Sequence, residues 1–244
     1  MKRMLLTISY DGTAYHGWQV QPNGITVQAV LQDSLQKLLG VRPAVTGCSR
    51  TDAGVHAREF CCHFDCDEAF PEKAFLKGLD AFLPGDIAVK ECREVSPDFH
   101  ARYDAKGKQY AYYILNSSVR DPFNARYVWR IERKLDTQRI NRFCENIVGT
   151  HDFYAFSSSG RSTDDTVRTV SDCSAEQRGN TVVIKITANG FLYNMVRIIV
   201  GTAVAVSDGQ SEPNITEKAF SLRERSVLGQ TAPPQGLFLE KVFY

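Results

Sequence analysis

The chain has 244 residues, 43% of them hydrophobic and 23% charged, with a formal net charge of +1. That supplies enough apolar material for one large domain or two packed halves, and too little charge imbalance for a disordered or globally basic chain. No apolar run reaches the roughly 18 residues a membrane span requires.

Met1 to Tyr10 opens with Lys2 and Arg3 and alternates from residue 3 to residue 10 before the turn signal Asp11-Gly12. The apolar stretch is too short for a secretion signal and predicts a first strand. A cytoplasmic location is expected. Thr26 is placed to cap a helix whose Val27, Val30, Leu31, Leu35 and Leu38 follow helical spacing until Gly40 stops it. Strands are predicted at 43–48, 59–65 and 87–95, with a helix from Pro71 to Phe82 between the last two. In the second half, strands are predicted at 109–116, 166–175, 181–188 and 237–243, with helices at 136–148 and 191–206. The run Ser157-Ser158-Ser159-Gly160-Arg161-Ser162 predicts a mobile polar loop. This order predicts an α+β fold of two similar halves, 1–104 and 105–244. Each half is a mainly antiparallel sheet covered by helices on one face.

Charge is unevenly distributed. Between Arg102 and Arg142 ten Lys and Arg face four Asp and Glu, a local +6; between Glu59 and Asp98 four face ten, a local −6. Such segregation suits a protein with one phosphate-facing side, or simply two different solvated faces. The seven cysteines, an odd number, fit reduced thiols. Cys61, Cys62, His63 and Cys66 cluster, but their tight spacing lacks a second ligand pair and reads as a strand filled with thiols; no metal site is expected there. The acidic pair Asp65 and Asp67 reads as an exposed strand end, not a magnesium site.

The stretch that carries chemistry is Gly47-Cys48-Ser49-Arg50-Thr51-Asp52-Ala53-Gly54-Val55-His56-Ala57, a strand giving way to a polar turn. On composition alone, Asp52 is as well explained by a turn in which it bonds nearby amides. The segment Arg50 to His56 resembles the active-site motif of the tRNA pseudouridine synthase A family, and the likeness extends in order along the chain. It includes Tyr10 to Gln19 followed by Thr26-Val27-Gln28, Phe82-Leu83-Pro84, and Phe99-His100-Ala101-Arg102-Tyr103. It continues through Tyr110 to Ile114, Gly149 to Phe153, and Asn189 to Arg197. Cys48-Ser49 departs from the smaller or glycine-containing pair common before the arginine, which bears on local packing.

The resemblance implies that the sheets of the two halves meet at a central RNA-binding active-site cleft, and that the chain is an isomerase that converts uridine to pseudouridine in the tRNA anticodon arm, just 3′ of the anticodon, without a cofactor and as a homodimer. It implies Asp52 as the catalytic aspartate, Tyr110 as the ring on the target base, Arg197 as the basic partner of Asp52, and Arg50 as an arginine that helps displace the nucleotide. Thr51 and His56 are expected among the substrate-binding residues, with His56 orienting loops or touching RNA. Independently, Arg197 lies in the apolar run Phe191 to Val200, where a guanidinium demands a partner: Asp52, another carboxylate such as Asp152, or solvent reached by snorkelling. Tyr110 and Tyr112 share a strand face with Ile114, for which core packing is the ordinary explanation. Lys106, Lys108, Arg126 and Arg130 are expected at phosphates. A non-catalytic RNA-binding protein on the same scaffold, and a cysteine enzyme using Cys48 with His56, are the alternatives.

Overall fold

The computed structural model describes residues 1–67, 69–160 and 163–244; Arg161 and Ser162 of the expected serine-rich loop lie outside them. Its strands and helices run in the order β1 (Lys2–Tyr10), α1 (Val27–Leu39), β2 (Thr46–Gly47), β3 (His56–Cys66), α2 (Glu72–Phe82), β4 (Ile87–Val95), β5 (Gly107–Asn116), β6 (Trp129–Ile131), α3 (Thr137–Glu145), β7 (Gly149–Asp152), β8 (Val167–Arg178), β9 (Thr181–Ala188), α4 (Met195–Ser207), α5 (Ile215–Leu222) and β10 (Leu237–Phe243). The fold is mixed α/β. It divides into two units, Met1–Lys106 with Phe238–Tyr244, and Gly107–Leu237. The last strand therefore returns to the first unit, where a linear division after residue 104 would place it in the second.

In the first unit the strand order is β4-β1-β3-β10, with β2 also on β3. β1 lies antiparallel to both β3 and β4, and β10 runs parallel to β3 through Phe238↔His56 and Leu239↔Ala57. The alternation in β1 sends Met4, Leu6, Ile8 and Tyr10 into the core. Phe64 of β3 meets Phe75 of α2 with ring centroids 5.4 Å apart. α1 begins where the Thr26 hydroxyl accepts the Ala29 N–H and ends at Gly40 in the left-handed region, as its sequence predicts. The strand predicted at 43–48 shrinks to Thr46–Gly47, and that predicted at 59–65 lengthens to His56–Cys66. The cysteine cluster sits in the latter, and all seven cysteines are buried. Burial pushes the Cys61 thiol up to about 11. Among the described residues, no group of three or more His, Cys, Asp or Glu is placed to hold a metal ion, and no helix is long and apolar enough to cross a membrane.

In the second unit the order is β5-β9-β8-β7, with β6 parallel to β5. Tyr110 and Tyr112 stand opposite Ile186 and Ile184 of β9. α3 presents Ile140, Phe143 and Cys144 inward, and Asn141 exchanges two hydrogen bonds with the backbone of Ala175 in β8, at 3.0 and 2.8 Å. Almost all of α4 is buried. This helix starts at Met195, four residues later than its apolar run predicts. Asn194 adopts φ 62°, a left-handed conformation that no helix interior accommodates.

Candidate active site

The Asp52 turn is built from two segments far apart in sequence. Val55 N–H donates to the Asp52 carbonyl at 3.1 Å, closing a turn whose third residue, Gly54, has φ 76°. The segment Tyr10 to Trp18 wraps this turn. The Tyr10 hydroxyl bonds the Thr51 hydroxyl at 2.8 Å inside the core, and Trp18 N–H donates to the Thr51 carbonyl at 3.1 Å. Gly12 and Gly17 lie so close that a Cβ on Gly12 would sit 2.0 Å from the Val55 carbonyl oxygen and one on Gly17 2.5 Å from that of Thr51. Their carbonyl neighbours extend the frame to α1: Val27 N–H donates to Gly17 O and Gln28 N–H to Trp18 O. The first turn of the helix thus anchors the segment that holds the aspartate.

His56 fastens the other end. It is 1% exposed, its ring is stacked on Phe238 at 4.5 Å, and its Nδ1 lies 3.0 Å from the Gly12 N–H and 3.1 Å from an Asp11 oxygen. That is a loop-orienting position with no face toward solvent. Tyr15 hydrogen-bonds Asp86 at 2.6 Å; burial first, and then that carboxylate, raise its hydroxyl well above the ordinary tyrosine range. Asp86 follows Phe82-Leu83-Pro84, so this motif also converges on the same frame. What the frame offers outward is a half-buried Asp52 between buried Thr51 and exposed Ala53, with exposed Arg50 two residues away. Cys48 is fully buried, its N–H donating to Cys61 O, an unsuitable posture for a nucleophile. Lys106, exposed, donates its backbone N–H to Phe243 O.

In the second unit, Arg197 projects from the first turn of α4. Its Nε donates to the Ala232 carbonyl at 2.7 Å and its Nη1 to the Asn194 side-chain oxygen at 2.8 Å. The Asn194 amide in turn donates to the Ser158 hydroxyl at 2.9 Å. The left-handed Asn194 is thus both the helix boundary and a support for the guanidinium, a role its place in the motif conceals. Asp152, the alternative carboxylate, is engaged elsewhere: it accepts from Thr166 at 2.6 Å and from Tyr154 N–H at 3.0 Å, and pairs with Arg223 at 3.2 Å. Tyr110 is 6% exposed and meets Phe191 edge to face at 5.0 Å. Tyr112 is fully buried, donating to Pro233 O at 2.7 Å, which is the core role expected for it. Lys108 is half-buried and Arg126 exposed, while Arg130 pairs with Glu132 at 2.7 Å and binds Ser118 O.

A family model described as tRNA pseudouridine synthase matches residues 6–104 and 143–244. The chain belongs to the tRNA pseudouridine synthase family. It is 45% identical over 245 residues to the tRNA pseudouridine synthase A of Citrifermentans bemidjiense, covering 100% of this chain and 98% of that protein. It is 42% identical to that of Thermoanaerobacter sp. and 41% identical to the tRNA pseudouridine synthase A 2 of Clostridium perfringens, each over 100% of both chains.

Proposed function

We propose that Asp52 is the catalytic carboxylate of this tRNA pseudouridine synthase. Membership of the family makes the chain an isomerase that converts uridine to pseudouridine in tRNA. The reaction breaks the N1–C1′ bond, turns the uracil and forms a C5–C1′ bond; C5 loses a proton and N1 gains one, so neither atoms nor electrons are exchanged overall. Asp52 acts either by adding to the sugar or base or by abstracting a sugar proton to give a glycal. The target base leaves its stack, and Arg50 assists that extrusion.

One observation carries this reading. Asp52 is a half-buried member of a turn held by close backbone approaches at Gly12 and Gly17, the immobilisation that positioned chemistry requires. Tyr110 is proposed as the ring on the target base, worth about 1–3 kcal/mol, and Arg197 as the guanidinium that keeps Asp52 ionised. Thr51 and His56 support the turn, and Lys106, Lys108, Arg126 and Arg130 serve phosphates. The substrate site is the anticodon arm just 3′ of the anticodon, and the enzyme works as a cytoplasmic homodimer; these rest on the family likeness.

The test is incubation of purified protein with uridine-labelled tRNA and mapping of pseudouridine. Asp52→Asn abolishes product while tRNA affinity stays within a few-fold. Normal turnover by Asp52→Asn refutes the assignment.

A further inference from the structure

Tyr15 is 5% exposed. Phenylalanine would fill the core as well, whereas a buried phenol hydroxyl has to find a partner. Here it donates to an Asp86 oxygen at 2.6 Å, the length of a charge-assisted O–H···O⁻ bond, which is stronger than a neutral one. The backbone of the same tyrosine grips the aspartate turn. Its carbonyl accepts the Gly54 N–H at 3.3 Å, and its N–H donates to Gly12 O at 3.0 Å. Gly54 lies two residues beyond Asp52, so the bond that fixes the phenol also fixes a strut under the turn.

Asp86 holds the start of that segment as well, its carbonyl accepting the Asp11 N–H at 2.9 Å. The position of Asp86 is itself fixed. Ile87 N–H donates to Pro84 O at 3.1 Å, closing the turn 84–87, and Ile87 opens β4 opposite Tyr10 of β1. One residue at the mouth of β4 therefore grips the stretch 11–15 twice, by main chain at Asp11 and by carboxylate at Tyr15. The Tyr15 hydroxyl, buried and bound to an acid, acts through the turn and not on the substrate. Resting on the reading that Asp52 is the catalytic carboxylate, we propose that Tyr15 and Asp86 are positioning residues. Their hydrogen bond holds the carbonyl that grips Gly54, and so sets where the Asp52 carboxylate stands. Such a tie governs rate more than affinity: a reacting group displaced by about 1 Å loses on the order of 100-fold, whereas affinity for a nucleic acid rests chiefly on its phosphates.

Single-turnover pseudouridine formation at saturating enzyme, measured in the full chain beside tRNA affinity and a urea melt, tests this. Tyr15→Phe removes only the hydroxyl and lowers the rate on the order of tenfold, while tRNA affinity is unchanged. Asp86→Ala does the same, and Asp86→Asn, which keeps an oxygen acceptor, restores most of the lost rate. The double variant Tyr15→Phe, Asp86→Ala is no slower than either single one, as two halves of one bond require. A hydroxyl that served stability alone would lower the melting midpoint and leave the folded enzyme at the parental rate; that result overturns the proposal. Losses that multiply in the double variant overturn it equally. Asp52→Asn, run in parallel, separates the two readings. If it is inactive while Tyr15→Phe keeps the parental rate, the tie fails and the Asp52 assignment stands; if it turns over normally, the assignment fails and the proposal with it.

Discussion

Replacing Gly17 by alanine isolates the contact that holds the Asp52 turn. The residue has φ 83°, and its added Cβ would fall 2.5 Å from the Thr51 carbonyl oxygen and 3.1 Å from the Asp52 carbonyl carbon, both backbone atoms. Two costs combine: about 1–2 kcal/mol for a left-handed alanine, and about 1–3 kcal/mol for overpacking against atoms that cannot swing aside. Gly40 provides the control. Its φ is 75°, nearly the same, but nothing lies within 4 Å of its added Cβ. Gly40→Ala should therefore cost about 1–2 kcal/mol and leave turnover untouched. Gly17→Ala should cost about 2–5 kcal/mol and also lower kcat, on the order of 100-fold, because a displacement approaching 1 Å at a reacting group has that effect. Urea melts give the stability difference, and single-turnover pseudouridine formation at saturating enzyme gives the rate. If the two variants match in both measurements, the close approach of Gly17 does not position the aspartate.

Two further outcomes are expected. His63 is buried, accepts the Ala101 N–H at Nδ1 (3.1 Å) and, through burial first and Arg3 second, has its pKa lowered to about 4. Between pH 6.5 and 4 the unfolded chain binds the proton that the native ring refuses, so the stabilisation is intact above about 6.5 and is lost as pH falls toward 4, up to about 3 kcal/mol. Urea melts of His63→Gln should show a flatter decline than the parent over that window; parallel declines would show that another group is responsible. Thiol reagents at pH 7.5 should react slowly with the native chain, since all seven cysteines are buried and burial pushes Cys92 up to about 12, and should leave activity intact. Fast labelling of Cys48 with loss of product would revive chemistry through Cys48 and His56.

The strands and longer helices were legible because their burial follows periodicity: Met4, Leu6, Ile8 and Tyr10 on one face of β1, and Val27, Leu31 and Leu35 on one face of α1. The short β6 and α5 had no such signal, since three residues and a partly polar turn-rich segment carry little period. The start of α4 was hidden by Asn194, whose backbone conformation no apolar count reveals. At the site, position and role separated. An aspartate followed by alanine and glycine predicts a turn, which is present, but its chemistry came from the family likeness. The contribution of Gly12 and Gly17 was invisible because the carbonyls they approach belong to residues far along the chain. Arg197 illustrates the reverse: its apolar surroundings called for partners, and the Ala232 carbonyl and the Asn194 side-chain oxygen are two of them.

The return of β10 to the first unit has a consequence for biosynthesis. The residue that covers the His56 ring, Phe238, leaves the ribosome only after the whole of Gly107–Leu237 has been made. Until then the imidazole behind the aspartate turn lacks the ring that stacks on it, and chains ending before Phe238 should be catalytically silent. Completion of the first unit is thereby deferred until the second has been made.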